Sequence, residues 1–193
     1  MKGVTSVLFA MALLVGWSGC YSKRESYGYV YSSGERFGEG HCLDGERVGL
    51  STSWYKSGQK CQEVMWNYGA LLYVNVWKPD GEKCPDTHLV DGDGVRVTYH
   101  ENGQKAREEN YLDGQLDGLS TIWRDNGEKW MEGHWSKGKK FGLWTSWHEN
   151  GRKQSEGHYK DDRPEGEWIS YPEEGTERKR VTFKDGAVVG STQ

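Results

Sequence analysis

Four of the six histidines in this 193-residue chain stand two positions after an acidic residue, a pairing that could bind a metal ion. If each pair sits on its own β-hairpin, equivalent positions of neighbouring hairpins are two strands apart, about 9–10 Å. Zinc needs nitrogen ligands at about 2.0–2.1 Å from one centre, and the sequence has neither HExxH nor a paired Cys/His motif. We therefore expect an exposed position that often carries histidine, with no metal site and no cofactor. The four pairs are Glu39/His41, Asp86/His88, Glu132/His134 and Glu156/His158.

The cysteines could form a disulfide if the chain is exported, because disulfides persist outside the cytoplasm. Cys61 and Cys84 are the predicted pair. Two strands of separation would exceed the Cα limit of about 7 Å unless the irregular segment between them brings them closer. Cys42 is expected to act as a small buried hydrophobe. If Cys20 is used elsewhere, three cysteines remain, and an odd count leaves at least one thiol unpaired.

Motifs for catalysis and for nucleic-acid binding are missing from the sequence. There is no Gly-x-Ser-x-Gly elbow and no phosphate-binding glycine loop. The carboxylates are spread along the chain instead of converging as a glycosidase pair would. With a formal net charge of −4 and no basic patch interleaved with aromatics, nucleic acid is not an expected partner. We predict that the protein is not an enzyme.

The elements that position these residues are repeats of 22–24 residues, clearest where one 24-residue unit is written twice in residues 118–165. A fixed period of this length is the signature of a repeat array. Aligning the units on a glycine in a turn, called here the turn glycine, gives seven copies. The turn glycines are Gly34, Gly58, Gly81, Gly103, Gly127, Gly151 and Gly175.

Two bulky columns recur in this alignment, and they predict a core. Because aliphatic residues are scarce after residue 20, we expect aromatic rings to build most of it. Four residues before each turn glycine stand Val30, Trp54, Trp77, Tyr99, Trp123, Trp147 and Tyr171. Eight residues after it stand Cys42, Trp66, Leu89, Tyr111, Trp135, Tyr159 and Phe183.

Turn chemistry predicts the secondary structure. Asn-Gly and Asp-Gly pairs, which tolerate the positive φ angles of tight hairpin turns, separate segments of about 6–8 residues. Segments of that length favour strands over helices. We therefore predict an all-β fold without helices after residue 20, an elongated antiparallel meander of about seven β-hairpins. The third unit departs most from the pattern.

Period-2 alternation assigns the two faces of the predicted sheet. The positions six and eight after the turn glycine should face inward, and position five should face the other way. Position two is basic and position five is acidic in six of seven copies, which favours a solvated surface of alternating charge. The basic residues are Arg36, Lys60, Lys83, Lys105, Lys129 and Lys153; the acidic ones are Glu39, Glu63, Asp86, Glu108, Glu132 and Glu156.

Three tryptophans lie outside the two bulky columns and are therefore the aromatics expected at the surface: Trp130, Trp144 and Trp168. Parity places Trp130 on the face of the acidic column. Together the three could form a flat binding surface, since exposed apolar patches often mark interaction sites. Packing against a second layer is the alternative, and the sequence leaves the two open.

The first residues resemble a bacterial lipoprotein signal. Lys2 precedes an apolar run, Val4 to Val15, that is too short for a transmembrane helix. Ser18 and Gly19 are small residues before Cys20, although Trp17 stands where that family usually has an aliphatic residue. The resemblance implies a signal peptide over residues 1–19, lipidation of Cys20, and a tether over residues 20–27. An ordinary cleaved signal peptide is the alternative.

The repeat itself, Gly-x-W-x-x-W/Y followed by x-x-N-G-x-K-x-x-E-G-x-Y-x-x-G, resembles the MORN repeat, and more closely its bacterial variant in antitoxin-like proteins. The resemblance covers residues 28–190. It implies twisted antiparallel sheets that serve in scaffolding and binding, with no catalytic residue in the motif. The third unit departs from the motif at Leu72, Pro85 and Leu89.

These observations predict a non-enzymatic lipoprotein of the bacterial cell envelope, extracytoplasmic at the outer membrane or the cell surface. It would be attached to the membrane through the lipid on Cys20. Its repeat sheet would bind an unidentified protein or envelope polymer. The alternatives are an antitoxin-like inhibitor of a toxin partner and, last, a surface enzyme acting on glycans or lipids.

Overall fold

A computed structural model describes residues 25–30, 36–174 and 178–192, which form fifteen strands and no helix. The signal peptide, Cys20, most of the tether and the turn glycines Gly34 and Gly175 lie outside the described residues. The strands are β1 (Glu25–Val30), β2 (Arg36–Leu43), β3 (Glu46–Trp54), β4 (Lys60–Asn67), β5 (Ala70–Val76), β6 (His88–Val90), β7 (Asp93–Tyr99), β8 (Lys105–Leu112), β9 (Gln115–Trp123), β10 (Lys129–Ser136), β11 (Lys139–Trp147), β12 (Lys153–Lys160), β13 (Arg163–Ser170), β14 (Lys179–Lys184) and β15 (Ala187–Thr192).

All fifteen strands belong to one open sheet whose spatial order equals the sequence order, β1 through β15, and every neighbouring pair is antiparallel. Each repeat contributes two consecutive strands, so each strand pairs with its neighbours in sequence. The predicted all-β meander of hairpins is confirmed.

The turns that join one repeat to the next are tight two-residue turns with positive φ at both central positions. At Asp113-Gly114 these angles are 51° and 73°, and at Lys137-Gly138 they are 50° and 75°. This backbone twist matches the right-handed twist of the flanking strands. Asp161-Asp162, which lacks glycine, adopts the same geometry with φ of 50° and 66°, because aspartate is one of the residues that tolerate this region.

The turns at the turn glycines have a different geometry from the one predicted. Only the glycine has positive φ, as at Gly127 with 85°. Arg124 and Glu128 close the loop through a 2.8 Å backbone hydrogen bond, and Gly127 N donates to Arg124 O. This is a type I turn followed by a left-handed glycine. The asparagine acts through its side chain instead, since Asn126 Oδ1 accepts the Glu128 N–H at 3.0 Å.

A β-bulge lies three residues after each of five turn glycines. In β10, Lys129 pairs with Trp123 and Met131 with Ile122, which leaves Trp130 as the extra residue. A bulge interrupts the alternation of side chains between the two faces. Face assignments that count through this position therefore fail. The residues in the bulged position are Phe37, Cys61, Ala106, Trp130 and Gln154.

Side chains link consecutive repeats along the edge that carries the turn glycines. The residue three before the turn glycine reaches a backbone carbonyl of the next repeat, 22 or 23 positions further on. His100 Nε2 lies 2.9 Å from Trp123 O, Arg124 donates to Trp147 O at 2.8 Å, and His148 Nε2 lies 2.8 Å from Tyr171 O. Tyr55 makes the same contact with the carbonyl of Trp77. A tyrosine, an arginine and two histidines thus link their repeats to the next one in the same way.

The most deeply buried part of the described chain surrounds the irregular third repeat. Its buried residues are aliphatic side chains and one cysteine, against the expectation of a mainly aromatic core. Leu71 and Leu89 are 0% and 1% exposed. Here β6 has only three residues, and the segment before it bonds to the end of β5, with Cys84 N donating to Val76 O. The cluster comprises Val64, Leu71, Val74, Val76, Cys84, Leu89 and Val97.

Candidate functional site

One face of the sheet carries a continuous row of five aromatic rings across β10 to β14, which we call the aromatic row. Successive rings meet edge to face, with centroid separations of 5.4, 6.0, 5.0 and 6.3 Å. Edge-to-face contact is the arrangement that the charge distribution of aromatic rings favours. The row consists of Trp135, Trp144, Tyr159, Trp168 and Phe183.

Glycines provide the space for the two indoles at alternate places in this row. A Cβ at Gly133 would lie 2.1 Å from Trp144 Cδ2, and one at Gly157 would lie 2.2 Å from Trp168 Cδ2. Each indole also donates its Nε1–H to the residue after the glycine, Trp144 to His134 O at 3.0 Å and Trp168 to His158 O at 3.1 Å. The glycine six residues after the turn glycine therefore leaves the space that an aromatic ring occupies. We call this glycine the seat of the ring.

The predicted binding surface of Trp130, Trp144 and Trp168 is not formed as expected. Trp144 is 5% exposed, because its ring is enclosed between Trp135 and Tyr159 and lies over Gly133. Trp168 is half-buried within the same row. Trp130 is also half-buried and occupies a bulge, where Arg124 lies 5.5 Å from its ring centroid. Because the bulge interrupts the alternation, parity alone does not assign the face of Trp130.

Polar groups replace the rings on the same face at the centre of the sheet. Arg96 occupies the repeat position of an indole and Glu109 occupies the repeat position of a glycine seat, and the two form an ion pair within one repeat at 3.2 Å, with side chains 18% and 8% exposed. Arg96 also donates to Gln62 Oε1 at 2.6 Å, and Tyr111 donates to Glu109. Burial is the main cause that raises the pKa of Tyr111. The polar groups of this cluster bind one another, with the exception of Arg96 Nε, which is buried without a hydrogen-bond partner among the described residues.

The opposite face, called here the charged face, repeats a lysine, a glutamate and an aromatic ring. Lys105 binds Glu108 at 2.8 Å and lies 5.6 Å from the ring centroid of Trp123 in the next repeat. Lys60 does the same with Glu63 and Trp77. A cation above a ring face is attracted by the ring quadrupole. The basic and acidic columns predicted as a solvated surface are thus paired with each other.

This arrangement corrects the prediction that the two bulky columns form one core. The column eight after the turn glycine lies in the aromatic row. The column four before it lies on the charged face, where Lys129 pairs with Glu132 and stands 5.6 Å from the ring centroid of Trp147. The two columns face opposite sides because the chain turns and bulges between them.

The predicted disulfide between Cys61 and Cys84 is wrong, since both are free thiols. Strand β5 lies between them: Trp77 N donates to Cys61 O, and Cys84 N donates to Val76 O. Burial raises the pKa of the Cys61 thiol, which keeps it protonated and weakly nucleophilic. Cys42, in contrast, is disulfide-bonded.

The histidine positions are not brought together. His134 and His158 are exposed and lie beside Leu119 and Leu143 in the strand register. Among residues 25–30, 36–174 and 178–192, no three His, Cys, Asp or Glu side chains are grouped closely enough to bind a metal ion.

A row of exposed apolar side chains on the charged face was missed by the sequence reasoning. Leu50, Met65, Tyr73 and Val90 are direct lateral partners across β3 to β6, with exposed fractions of 45%, 36%, 40% and 61%. Their alternation with buried neighbours in β4 and β5 was visible in the sequence. Their alignment in one row depends on the register, which sequence alone did not provide.

Comparison with known proteins supports the repeat assignment. The model of the MORN repeat variant family matches residues 92–113 and 142–161, and no curated protein matches the chain. Repeats of this kind commonly serve as binding or scaffold modules, and the open repeat sheet is consistent with that role. None of the described segments is a helix with the length and hydrophobicity needed to cross a membrane.

Proposed function

We propose that the protein is a lipid-anchored scaffold of the bacterial cell envelope whose repeat sheet binds a protein or an envelope polymer and catalyses no reaction. The observation that carries the binding role is the exposed row of Leu50, Met65, Tyr73 and Val90. Four adjacent apolar side chains, each more than a third exposed, form the kind of patch that marks an interaction site. An open array also presents one long surface with repeating chemistry.

The anchor is the second element of the proposal, and it is supported by the apolar run and the small residues before Cys20. Lipidation competes with another use of the same sulfur. A thioether to lipid and a disulfide to Cys42 exclude each other, because each consumes the Cys20 thiol. The state of the Cys20 sulfur in the mature protein therefore decides this part of the proposal.

Mass spectrometry of the mature chain from a bacterial host tests the anchor, with Cys20→Ala as the control. We expect the wild type to begin at Cys20, to carry diacylglyceryl and acyl mass there, and to fractionate with membranes. The variant is expected in the soluble fraction. A mature chain with Cys20 absent, free or bonded to Cys42 would contradict the anchor, and would favour the alternative of an exported antitoxin-like inhibitor.

Site-specific photocrosslinking tests the binding role. A photoreactive amino acid at Tyr73 is expected to yield one discrete adduct in intact cells, and Met65→Lys in the same chain is expected to abolish it. The same probe at Asp161, an exposed turn residue away from the row, serves as the control. Adducts of equal pattern from both probe positions, or an adduct insensitive to Met65→Lys, would argue against the row as the contact surface.

A further inference from the structure

A second concave surface lies at the edge that carries the turn glycines, between the fourth, fifth and sixth repeats. This groove of about 640 Å³ has the size typical of small-ligand sites. We call it the turn groove. The residues that matter to its chemistry are Ala106, Arg107, Ile122, Arg124, Asp125 and Trp130.

The groove exists because of a size difference in one column of the repeat. The residue three after the turn glycine is Ala106 in the fourth repeat and Trp130 in the fifth, the smallest and the largest side chains of that column. Ile122 of β9 lies between them and pairs with Arg107. A small side chain next to a large one leaves a depression with Ala106 and Ile122 at its base and Trp130 at its side. The column reads Phe37, Cys61, Cys84, Ala106, Trp130, Gln154 and Arg178.

The charged side chains around the groove include both signs, and their net formal charge is zero. Two guanidinium groups, Arg107 and Arg124, and two carboxylates, Asp125 and Glu149, line the groove. Arg107 is 45% exposed and lies 3.6 Å from Glu109, and Glu149 is 70% exposed with Arg124 at 4.0 Å. An anion would meet the carboxylates and a cation would meet the guanidinium groups. A neutral ligand with many hydroxyls can use both sets, because it donates to the carboxylates and accepts from the arginines.

Trp130 adds the apolar contact that such a ligand needs. Its ring is oriented by Arg124, whose guanidinium carbon lies 5.5 Å from the ring centroid and whose Nη2 donates to Trp147 O. Arg124 Nε has no hydrogen-bond partner among the described residues. A small rotation toward an oxygen in the groove would satisfy this donor, which the protein leaves unpaired.

We propose that the turn groove binds a neutral oligosaccharide, with the C–H face of one sugar ring against Trp130 and its hydroxyls paired with Arg107, Arg124 and Asp125. This assignment deepens the proposed function by naming the class of envelope polymer that the sheet recognises. It does not depend on the lipid anchor, because binding is measured in solution.

Titration of the purified full chain in detergent tests the groove, with tryptophan fluorescence and calorimetry as readouts. The neutral probes are cellotetraose, maltotetraose, chitotetraose and mannotetraose. The charged probes are inorganic phosphate, tetragalacturonate and choline. We expect saturable binding of at least one neutral tetrasaccharide and no saturation with the charged probes.

Two variants locate the binding. Trp130→Ala removes the ring, and Ala106→Gln fills the groove with the side chain that the sixth repeat carries at this position. Each is expected to weaken binding by at least about tenfold, the effect of losing one central contact of about 1.4 kcal/mol. Gln154→Ala, a change in the same column outside the groove, is the matched control and should leave affinity unchanged.

Three results would overturn the proposal: no binding of any neutral probe, tighter binding of a charged probe, or affinity unchanged in Ala106→Gln and Trp130→Ala. Near-ultraviolet circular dichroism of each variant shows whether it is folded. If saccharide binding fails while crosslinking from Tyr73 succeeds, the scaffold role stands and the turn groove is not its site. If saccharide binding succeeds while crosslinking from Tyr73 fails, the turn groove remains the binding site and the exposed apolar row is not a contact surface.

Discussion

The centre and the C-terminal part of the sheet fill the same positions with different chemistry. Across β10 to β14, an indole stands over a glycine and the rings touch edge to face. Across β7 and β8, the same two repeat positions hold Arg96 and Glu109, which pair with each other within one repeat as a buried ion pair. Neither a ring nor a glycine is therefore required at these positions for the sheet to form.

The two solutions differ in how they tolerate change. A ring packed over a glycine needs the space that the missing side chain leaves, so a larger residue at that glycine should lower the free energy of unfolding. A buried ion pair depends on both partners being present, because removing one leaves a charge without compensation. Since an array can unfold in parts, hydrogen exchange resolved by strand is the readout that separates the two regions.

The largest effect is expected at the centre. Glu109→Ala should destabilise the protein by about 4 kcal/mol, because Arg96 would be left buried without its carboxylate partner. Exchange should accelerate in β7 to β9, with β12 and β13 less affected. Replacing both partners, Arg96→Met with Glu109→Leu, should restore most of the loss, since an apolar pair removes the unpaired charge.

The control for this change is Glu108→Ala on the neighbouring residue, whose side chain is 42% exposed and binds Lys105 on the charged face. It is expected to cost less than about 1 kcal/mol. Equal losses for the two glutamate variants in urea unfolding would show that the Arg96–Glu109 pair has no special role.

The next effect is expected in the aromatic row. Gly133→Ala should destabilise by about 2–3 kcal/mol, because the new Cβ would displace the indole of Trp144 from its seat. Near-ultraviolet circular dichroism should lose intensity as the edge-to-face contacts break, and exchange should accelerate in β10 to β13. Gly38→Ala is the matched control, since its Cβ would meet neighbours no closer than 3.7 Å. An unchanged aromatic spectrum in Gly133→Ala would contradict the seat.

The smallest effect concerns an exposed ion pair of the charged face. Hydrogen bonds from Lys153 and from Tyr171 lower the pKa of Glu156. A depressed folded-state pKa gives stability that is present above the carboxyl's unfolded pKa, about 4.3, and is lost as the pH falls below it.

Glu156→Gln should therefore reduce the loss of unfolding free energy between about pH 5 and pH 3. The reduction should be less than about 1 kcal/mol because the pair is near the surface. Urea unfolding at several pH values measures it. Glu173→Gln, an exposed carboxyl in the turn after β13, is the control. If both variants lose stability with falling pH in the same way as the wild type, the Lys153–Glu156–Tyr171 contacts have no role in the pH dependence.

Period, turn residues and segment length determined the architecture of this protein, because in a meander each strand pairs only with its neighbours in sequence. A spacing of 22–24 residues with glycine in nearly every turn was enough to predict the order and direction of the strands. The glycine seats were also visible as small residues at Gly133 and Gly157, although their purpose was not.

Only the tertiary structure decided which side each residue faces and what it meets there. A single bulge at Trp130 shifts the alternation on which parity rests, and this shift puts the bulky-column residues Trp123 and Trp135 on opposite faces. Register aligned Leu50, Met65 and Tyr73 into one exposed row, and the interposed β5 kept Cys61 from Cys84. Side-chain alternation is a local property with a period of two, so one extra residue is enough to defeat it, while the pairing of strands depends on the whole repeat and survives.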